Sequence, residues 1–392
     1  LLQSACFSKR RNSERKKFLK LVHTHVMNNH VTVLEIDGNA LEHNLHYFKD
    51  KLHQKTKILA VVKAFGYGSD AAQVASFLKD KVDYFAVAYA HEGTALRKVN
   101  VATPILVLHP QIQNFNQIVK DKLEPSIYNL KTLTEFLVYA EEQELLSYPI
   151  HLKFNTGLNR LGLSKADIPL IMNAIDGSEH VKIKSILSHL AASEDANERV
   201  FTLKQLHNFK EIIKEVYEYL DYTPIAHTLN TSGVINYPEA QFDMVRIGIG
   251  LYGFGNDKKE TLQLKNSHIL RSIISQTHSV KKGETVGYNR AFIANVDAKI
   301  ATIPIGHADG LSRKLGNGNG SVTIHNQRAP IIGNVCMDMI MVDITNINCK
   351  EGDNVFIFKT QEDILNISSV SETISYEVLT LISQRIKRLL IY

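Results

Sequence analysis

The chain of 392 residues contains no tryptophan and only three cysteines, Cys6, Cys336 and Cys349. These cysteines lack the spacing of a metal site and cannot build a disulfide framework, so the composition favours a reducing compartment, the cytoplasm, and indicates no metal. No run of about eighteen apolar residues is present, and we expect no membrane-spanning segment. The net charge of +5 is modest, which argues against a dedicated nucleic-acid surface.

Apolar residues make up 44% of the chain, which is ample for a core, and the length favours two domains. The first segment, 1–30, is basic and lacks a long apolar stretch. We interpret it as a tail, as a linker from an upstream domain or as an artefact of the assigned start site.

From residue 31, short apolar runs rich in β-branched residues alternate with stretches of helical apolar spacing, such as 71–78, 130–140 and 201–220. The eight candidate strands are 56–63, 82–88, 104–109, 123–128, 149–154, 183–189, 224–229 and 243–248. The alternation predicts an α/β fold with a closed (β/α)8 barrel of the TIM type over 31–263. An open doubly wound sheet is the alternative, although no dinucleotide-type glycine fingerprint follows the first strand.

After residue 264 the pattern changes to short strand-like runs separated by turn residues. These runs are 299–305, 321–325, 330–335, 339–344 and 354–358, and a closing helix is predicted near 376–390. We therefore expect a second, mostly β domain over 264–392.

Polar residues follow the ends of several predicted barrel strands. Lys63 ends the first strand, His189 ends the sixth and Arg246 ends the eighth. Side chains at the carboxyl ends of barrel strands converge on one face, where active sites lie. A lysine that ends an apolar strand is poorly solvated, which favours a neutral amine able to form a Schiff base. By residue type alone, a solvated surface lysine is the commoner case.

The segment AVVKAFGYGSD, around Lys63, resembles the lysine motif of the alanine racemase family, which uses pyridoxal 5'-phosphate (PLP) in fold type III. The resemblance runs from about residue 31 to the end of the chain. It includes EIDGNALEHNL, KFNTGLNRLG, LSHLAASED, HTLNTSG, MVRIGIGLYG, VGYNR, IPIGHADG, NVCMDM and ISYEV, in this order. The sequence is also similar to the racemase part of ligase–racemase fusions.

The resemblance implies that Lys63 binds PLP covalently and serves as the base for D-alanine, while Tyr288 is the opposing base for L-alanine. Two bases on opposite faces of a planar carbanion allow racemisation. A phenol with a pKa near 10 is a poor base at neutral pH, so Tyr288 needs a cationic neighbour. His189 matches the family's partner for that tyrosine. As an isolated residue, His189 could equally be a structural histidine.

The resemblance also assigns the cations of the site. Arg246 faces the pyridine nitrogen and, because guanidinium remains a donor, weakens the cofactor as an electron sink. The other interpretation of Arg246 is a core-edge arginine paired with Asp243. Arg160 lies near the substrate carboxylate. Lys153 aligns with a lysine that is carbamylated in many family members and orients this arginine.

The remaining site residues are also implied by the resemblance. The cofactor and its phosphate are bound by Tyr67, Asn230, Thr231, Gly248, Ile249 and Tyr376. Met337 offers its backbone amide to the substrate carboxylate, and Cys336 and Asp338 support it. In the family, this segment and Tyr288 reach the active site of the other subunit, so the resemblance implies a homodimer with shared sites.

Two departures from the family pattern concern substrate entry: His307 replaces a tyrosine, and Glu194 replaces an aspartate. The expected function is alanine racemisation that supplies D-alanine for peptidoglycan. A broad-spectrum or serine-type racemase is an alternative, and a PLP decarboxylase is disfavoured by Arg246. A non-catalytic PLP-binding barrel is the third possibility, which the C-terminal domain with Tyr288 and Met337 disfavours.

Overall fold

The computed structural model describes residues 30–255 and 257–392 and arranges them around two large sheets. The predicted tail at 1–30 lies outside the described residues except for its last position, and Cys6 also lies outside them. One sheet is an eight-stranded parallel barrel and the other is a nine-stranded mixed sheet. The first strand, β1 (Val33–Asp37), belongs to the mixed sheet.

The barrel contains all eight predicted strands, which confirms the α/β prediction. In chain order they are β2 (Lys57–Val61), β3 (Tyr84–Val87), β4 (Ile105–Val107), β5 (Glu124–Ile127), β6 (Tyr148–Lys153), β7 (Val181–Leu187), β8 (Ile225–His227) and β9 (Met244–Ile247). Neighbouring strands pair in parallel from β8 through β2 to β9. The first and last strands of this order meet through backbone hydrogen bonds from Asp243 to Ala226 and from Arg246 to Leu229. The open-sheet alternative is therefore wrong.

Helices pack around the barrel and follow its strands. Those described, in chain order through both domains, are α1 (Gly38–Lys49), α2 (Ala71–Leu78), α3 (Ala90–Lys98), α4 (Phe115–Lys120), α5 (Leu130–Glu142), α6 (Ile168–Ile175), α7 (Arg199–Glu218), α8 (Thr231–Asn236), α9 (Lys258–Thr261), α10 (Gln361–Ser371) and α11 (Ser375–Thr380). Side-chain caps begin several of them: Asp37 accepts from the amide of Ala40 and thereby starts α1. None of these helices is long and apolar enough to cross a membrane.

The second sheet confirms a mostly β C-terminal domain. Its strands, with a small two-stranded ribbon formed by β12 and β13, are β10 (His268–Ile273), β11 (Gln276–Val280), β12 (Thr285–Val286), β13 (Phe292–Ile293), β14 (Ala298–Ile303), β15 (Ser321–Ile324), β16 (Gln327–Ile332), β17 (Ile340–Asp343), β18 (Asn354–Phe358) and β19 (Lys387–Ile391). Buried and half-buried residues alternate along β10, as expected for a strand with one face on a core.

The predicted closing helix near 376–390 is wrong. The helix α11 ends at Thr380, and the chain then forms β19, which pairs in parallel with β1. β1 also pairs antiparallel with β10. A strand from the start of the described chain is thus held between two strands of the C-terminal domain, and this arrangement ties the barrel to that domain.

Candidate active site

A cavity of about 530 Å³ opens at the carboxyl ends of the barrel strands. This volume lies within the range typical of small-molecule sites. The cavity is lined by most of the residues that the sequence predicts for the site, namely Lys63, Tyr67, Lys153, Arg160, His189, Asn230, Thr231, Arg246, Gly248, Ile249 and Tyr376. Residues that were not predicted, including Tyr89 and His109, also line it. No aspartate or glutamate is among the lining residues.

Lys63 follows β2 and begins a left-handed turn, Lys63–Tyr67, whose residues from Ala64 onward have positive φ angles. Burial lowers the pKa of Lys63, and the nearby charge of Arg160 lowers it further. A buried amine among cations is readily deprotonated. The structure thus presents a nucleophilic lysine to the cavity, in the position that strand polarity predicts.

Arg246 is buried on β9 and is held by imidazoles and carbonyl groups. Its Nη1 donates to His227 Nδ1 at 2.9 Å, and its Nη2 donates to His189 Nδ1 at 3.0 Å. Further bonds reach the carbonyl oxygens of His227, Ser188 and Thr228. These contacts use both terminal nitrogens and leave Nε without a partner among the described residues. The pairing with Asp243 is not observed, because that carboxylate accepts from the amide of Ala226.

His189 presents its second ring nitrogen to the site. Guanidinium groups only donate, so His189 Nδ1 must accept from Arg246, and the proton of the neutral ring lies on Nε2. Burial, followed by the charge of Arg246, holds the pKa of His189 well below its usual range. His189 therefore provides an N–H donor and carries no charge at neutral pH, unlike the cationic neighbour that the pKa of a tyrosine led us to expect.

Hydroxyl and amide donors gather at one end of the cavity. The hydroxyl groups of Tyr67 and Tyr376 and the amide of Ile249 have no hydrogen-bond partner among the described residues, while Thr231 Oγ1 accepts from the amides of Gly248 and Gly250. A side chain at Gly248 would place its Cβ 2.4 Å from Tyr67 Oη. Free donors and close backbone approach are typical of a phosphate site.

The side-chain oxygen of Asn230 is bonded within the protein. Its Oδ1 accepts from the amide of Gly233 and from Ser193 Oγ, both at 2.8 Å. Asn230 thereby caps α8 and fixes the helix that carries Thr231. It lines the cavity, but its side-chain oxygen serves the protein.

Arg160 and Lys153 are the other two basic residues that line the cavity, beside Lys63 and Arg246. Lys153 is the last residue of β6 and is buried, and burial together with the charge of Arg160 lowers its pKa to about 8. Neither residue forms an ion pair with a described carboxylate. An exposed arginine at the mouth of a cavity is free to bind a carboxylate from solution.

Tyr288 and the segment from Cys336 to Asp338 do not line this cavity. They lie on the C-terminal domain, where Tyr288 is 72% exposed and Met337 is 59% exposed. Tyr288 and Cys336 line a separate, shallow depression. Two hydrogen bonds hold the segment from Cys336 to Asp338: the amide of Ala308 donates to the carbonyl of Met337, and Arg385 donates to Asp338 at 2.7 Å. One chain therefore contains the two predicted halves of the site on different surfaces.

Several residues that build the site were not predicted. Glu92 accepts from the amide of Ala64 at 2.7 Å and fixes the turn after Lys63. His227 contacts Arg246 and is the last residue of β8, and His151 lies between Ile150 and Leu152 on β6. A histidine within an apolar run was the available signal for both. Arg388 donates to the carbonyl oxygen of Gly68, just after the turn that begins at Lys63. No local pattern in the sequence indicates this contact.

The barrel cavity combines a nucleophilic lysine, hydrogen-bond donors suited to a phosphate group, and basic side chains without a lining carboxylate. This combination defines an enzyme that uses a phosphorylated aldehyde as its cofactor. The chain matches the family model "Alanine racemase, N-terminal domain" over residues 36–255 and "Alanine racemase, C-terminal domain" over 268–390. It therefore belongs to the alanine racemase family.

Individual relatives agree with this membership. The chain is 35% identical over 376 residues to alanine racemase 2 of Oceanobacillus iheyensis, covering 91% of this chain and 93% of the relative. The structure of the alanine racemase of Clostridium difficile 630 superposes with a TM-score of 0.87 at 31% identity, covering 92% of this chain and 96% of that one. An alanine racemase from Bartonella henselae, described with covalently bound pyridoxal phosphate, has a TM-score of 0.82 at 29% identity, covering 92% and 99%.

Proposed function

We propose that this chain is a PLP-dependent alanine racemase, an isomerase that interconverts L-alanine and D-alanine. The observation that carries the proposal is the cavity in which Lys63 shares the lining with Lys153, Arg160 and Arg246 and with no carboxylate. Four basic residues without acidic partners suit a ligand set of phosphate and carboxylate groups. Membership of the alanine racemase family supports the same conclusion.

The residues present fit the cofactor. Lys63 would hold its aldehyde carbon, the free Nε of Arg246 would face its ring nitrogen, and Tyr67, Tyr376 and the amide of Ile249 would bind its phosphate. When bound, PLP supplies an electron sink that acidifies the α-proton of an amino acid. Arg246, which only donates, would leave that ring nitrogen unprotonated and so would restrain side reactions.

Racemisation needs a proton acceptor on each face of the α-carbon. Lys63 meets the requirement on one face, because its lowered pKa makes the amine available as a base. Tyr288 is the candidate for the other face, but it does not line the cavity of its own chain. We therefore assign the second base to a neighbouring copy of the chain.

The resulting assembly is a homodimer in which each copy completes the other's cavity. The exposure of Tyr288 and Met337 on the C-terminal domain supports this arrangement, because a second chain can reach both side chains. His189 Nε2–H would donate to the phenolic oxygen of the partner subunit's Tyr288. A donor at that oxygen favours the phenolate without needing a charged imidazole.

The sharing of sites can be tested by mixing two inactive variants, Lys63→Ala and Tyr288→Phe. After unfolding and refolding together, half of the dimers are mixed, and each mixed dimer has one intact site of two, so about a quarter of wild-type activity should return. A site built within one chain would give no recovery. Refolding each variant alone provides the control.

The activity is tested with the separate variants. Wild-type protein with PLP should convert either enantiomer of alanine to a racemic mixture, followed by circular dichroism. Tyr288→Phe should nearly abolish turnover of L-alanine while retaining bound cofactor, and Lys63→Ala should lose covalent cofactor attachment. Tyr219→Phe is the matched control, since Tyr219 is 52% exposed and lies outside the cavity. Unchanged turnover by Tyr288→Phe would sink the two-base assignment.

The same assay distinguishes the other candidates. A pocket separates substrates that differ by a methyl-sized group by only about 1–3 kcal/mol, so serine should turn over more slowly than alanine. Faster turnover of serine or lysine would indicate a serine-type or broad-spectrum racemase, and no turnover at all would indicate a PLP-binding protein without catalysis. We propose that the chain acts in the cytoplasm and supplies D-alanine for peptidoglycan.

A further inference from the structure

A continuous series of hydrogen bonds crosses the barrel interior and ends at Arg246. Starting on β5, Glu124 Oε2 lies 2.8 Å from His151 Nε2, and His151 Nδ1 lies 2.6 Å from Ser185 Oγ. Ser185 Oγ lies 3.0 Å from His227 Nε2, and His227 Nδ1 lies 2.9 Å from Arg246 Nη1. The five residues come from β5, β6, β7, β8 and β9, one from each strand. We call this series the barrel chain.

The direction of every bond in the barrel chain is fixed by Arg246. A guanidinium group has donors only, so His227 Nδ1 accepts from it and the ring's proton lies on Nε2. His227 Nε2 then donates to Ser185 Oγ, and the Ser185 hydroxyl donates to His151 Nδ1. His151 Nε2 finally donates to the carboxylate of Glu124. All donors therefore point from the cavity toward Glu124.

Protonation of His151 on both ring nitrogens would leave a buried group without a partner. If His151 were protonated on both nitrogens, its Nδ1 would donate to Ser185, and the hydroxyl proton of Ser185 would have no acceptor among its two contacts. Ser185, His151 and His227 are all 0% exposed. A buried donor without an acceptor is unfavourable, so the directed arrangement is preferred.

Arg246 has no ion pair with a described carboxylate, and the barrel chain connects it to one. Hydrogen bonds in series polarise one another in a low-dielectric interior. The negative charge of Glu124, whose side chain is 12% exposed, thereby acts on Arg246 through three intervening side chains. Removing that charge should weaken the bond from Arg246 to His227 and change the donor strength of the guanidinium.

We infer that Glu124, His151 and Ser185 are positioning residues that act through His227 to fix the orientation and donor strength of Arg246 at the cofactor's ring nitrogen. The inference rests on the proposed function for its consequence in catalysis. Its geometry stands independently of that function, because every bond of the barrel chain lies between side chains of the protein itself.

The first test measures the tautomers directly. In ¹⁵N NMR of protein without cofactor, both His151 and His227 should be neutral with the proton on Nε2. Glu124→Gln retains an oxygen acceptor but removes the charge, so it should shift the ring ¹⁵N resonances of His227, which does not touch Glu124. Unchanged His227 resonances, or an Nδ1–H tautomer at either histidine, would overturn the inference even if the protein is an active racemase.

The second test breaks the barrel chain with Ser185→Ala. The variant should lose about three- to tenfold in kcat/KM, the effect that one buried hydrogen bond supports, and should shift the absorption maximum of the bound cofactor. Ser126→Ala is a closely matched control: Ser126 lies opposite His151 on β5, is 0% exposed, and its hydroxyl has no partner. The control should match wild type in both readouts.

The outcomes separate the two proposals. Equal kinetics and spectra for Ser185→Ala and Ser126→Ala would refute the barrel chain and leave the proposed function intact. A wild-type protein without racemase activity, but with the expected tautomers and the shift in Glu124→Gln, would refute the function alone. If Ser185→Ala does not fold, the Glu124→Gln spectrum decides the inference by itself.

Discussion

Arg388 Nε donates to the carbonyl oxygen of Gly68 at 2.8 Å, from the last strand of the C-terminal domain to the turn that follows Lys63. The other guanidinium nitrogens of this buried arginine donate to the carbonyl oxygens of Ile382, Ser383 and Ile386. The C-terminal domain thus does more than carry Tyr288, because it also supports the turn that begins at Lys63.

Replacing Arg388 by Met should therefore destabilise the protein and loosen the site together. Four carbonyl groups lose their donor, and we expect the free energy of unfolding to fall by about 3 kcal/mol. Urea unfolding gives the stability, and dialysis gives the rate of cofactor loss, which should rise. Arg313→Met is the control, because Arg313 is exposed and its side chain bonds to no described residue. Equal stability of the two variants would contradict this role.

A second prediction concerns Glu92 and the left-handed turn. Left-handed backbone costs about 1–2 kcal/mol for each residue other than glycine, so the turn persists only if its surroundings hold it. Glu92 Oε1 accepts from the amide of Ala64, and Oε2 accepts from the amides of Ala88 and Tyr89. Glutamine has one acceptor oxygen and cannot serve both sides.

Glu92→Gln should accordingly lower the free energy of unfolding by about 1–3 kcal/mol and speed hydrogen exchange at the amide of Ala64. Glu135→Gln, on the exposed face of α5, controls for the loss of a charge. If the amide of Ala64 exchanges as slowly in Glu92→Gln as in Glu135→Gln, the turn does not depend on Glu92.

The barrel and the position of the cavity could be predicted from the sequence, because both follow from local periodicity. Apolar runs such as 56–63 mark buried parallel strands, and polar residues just beyond them must share one face. β19 could not be predicted in this way. Its segment shows helix-like apolar spacing, and only pairing with β1, more than 300 positions earlier, makes it a strand.

The candidate site likewise has features that local sequence patterns predict and features that they do not. Lys63 and Arg246 are placed by strand ends, whereas the contacts that orient them come from distant segments such as Arg388 and His227. Local patterns do not encode which far residue satisfies a buried donor. The proposed completion of the cavity by Tyr288 of a second copy likewise depends on an interface that one chain does not show.

A third prediction tests the phosphate end of the cavity through Gly248 and Tyr67. A Cβ at position 248 would lie 2.4 Å from Tyr67 Oη but 3.2 Å from the next ring atom, Cζ. Gly248→Ala should displace the tyrosine and weaken cofactor binding by about 5- to 150-fold, since a repacked contact costs about 1–3 kcal/mol.

The double variant Gly248→Ala with Tyr67→Phe removes the clashing oxygen. Its affinity for PLP, measured by fluorescence titration, should be no worse than that of Tyr67→Phe alone, because the two changes share one contact. Additive losses in this double-mutant cycle would mean that Gly248 is needed for another reason.

The last prediction concerns Lys153 and pH. Burial holds its pKa at about 8, below the ordinary value of 10.5. Below pH 8 the lysine is charged in both the folded and the unfolded state, and the folded state bears the full cost of burying the charge. Between pH 8 and 10.5 the folded state releases the proton while the unfolded state keeps it, so stability rises with pH.

Lys153→Met removes this cost, and at pH 7 it should raise the free energy of unfolding by up to about 3 kcal/mol. The gain should shrink as the pH rises from 8 to 10.5, as measured by urea unfolding of cofactor-free protein in buffer without CO2. Lys184→Met, an exposed lysine on β7, should show no such trend. Repeating the series with bicarbonate tests for a carbamate, which would pair with Arg160, stabilise the wild type and reverse the sign of the difference.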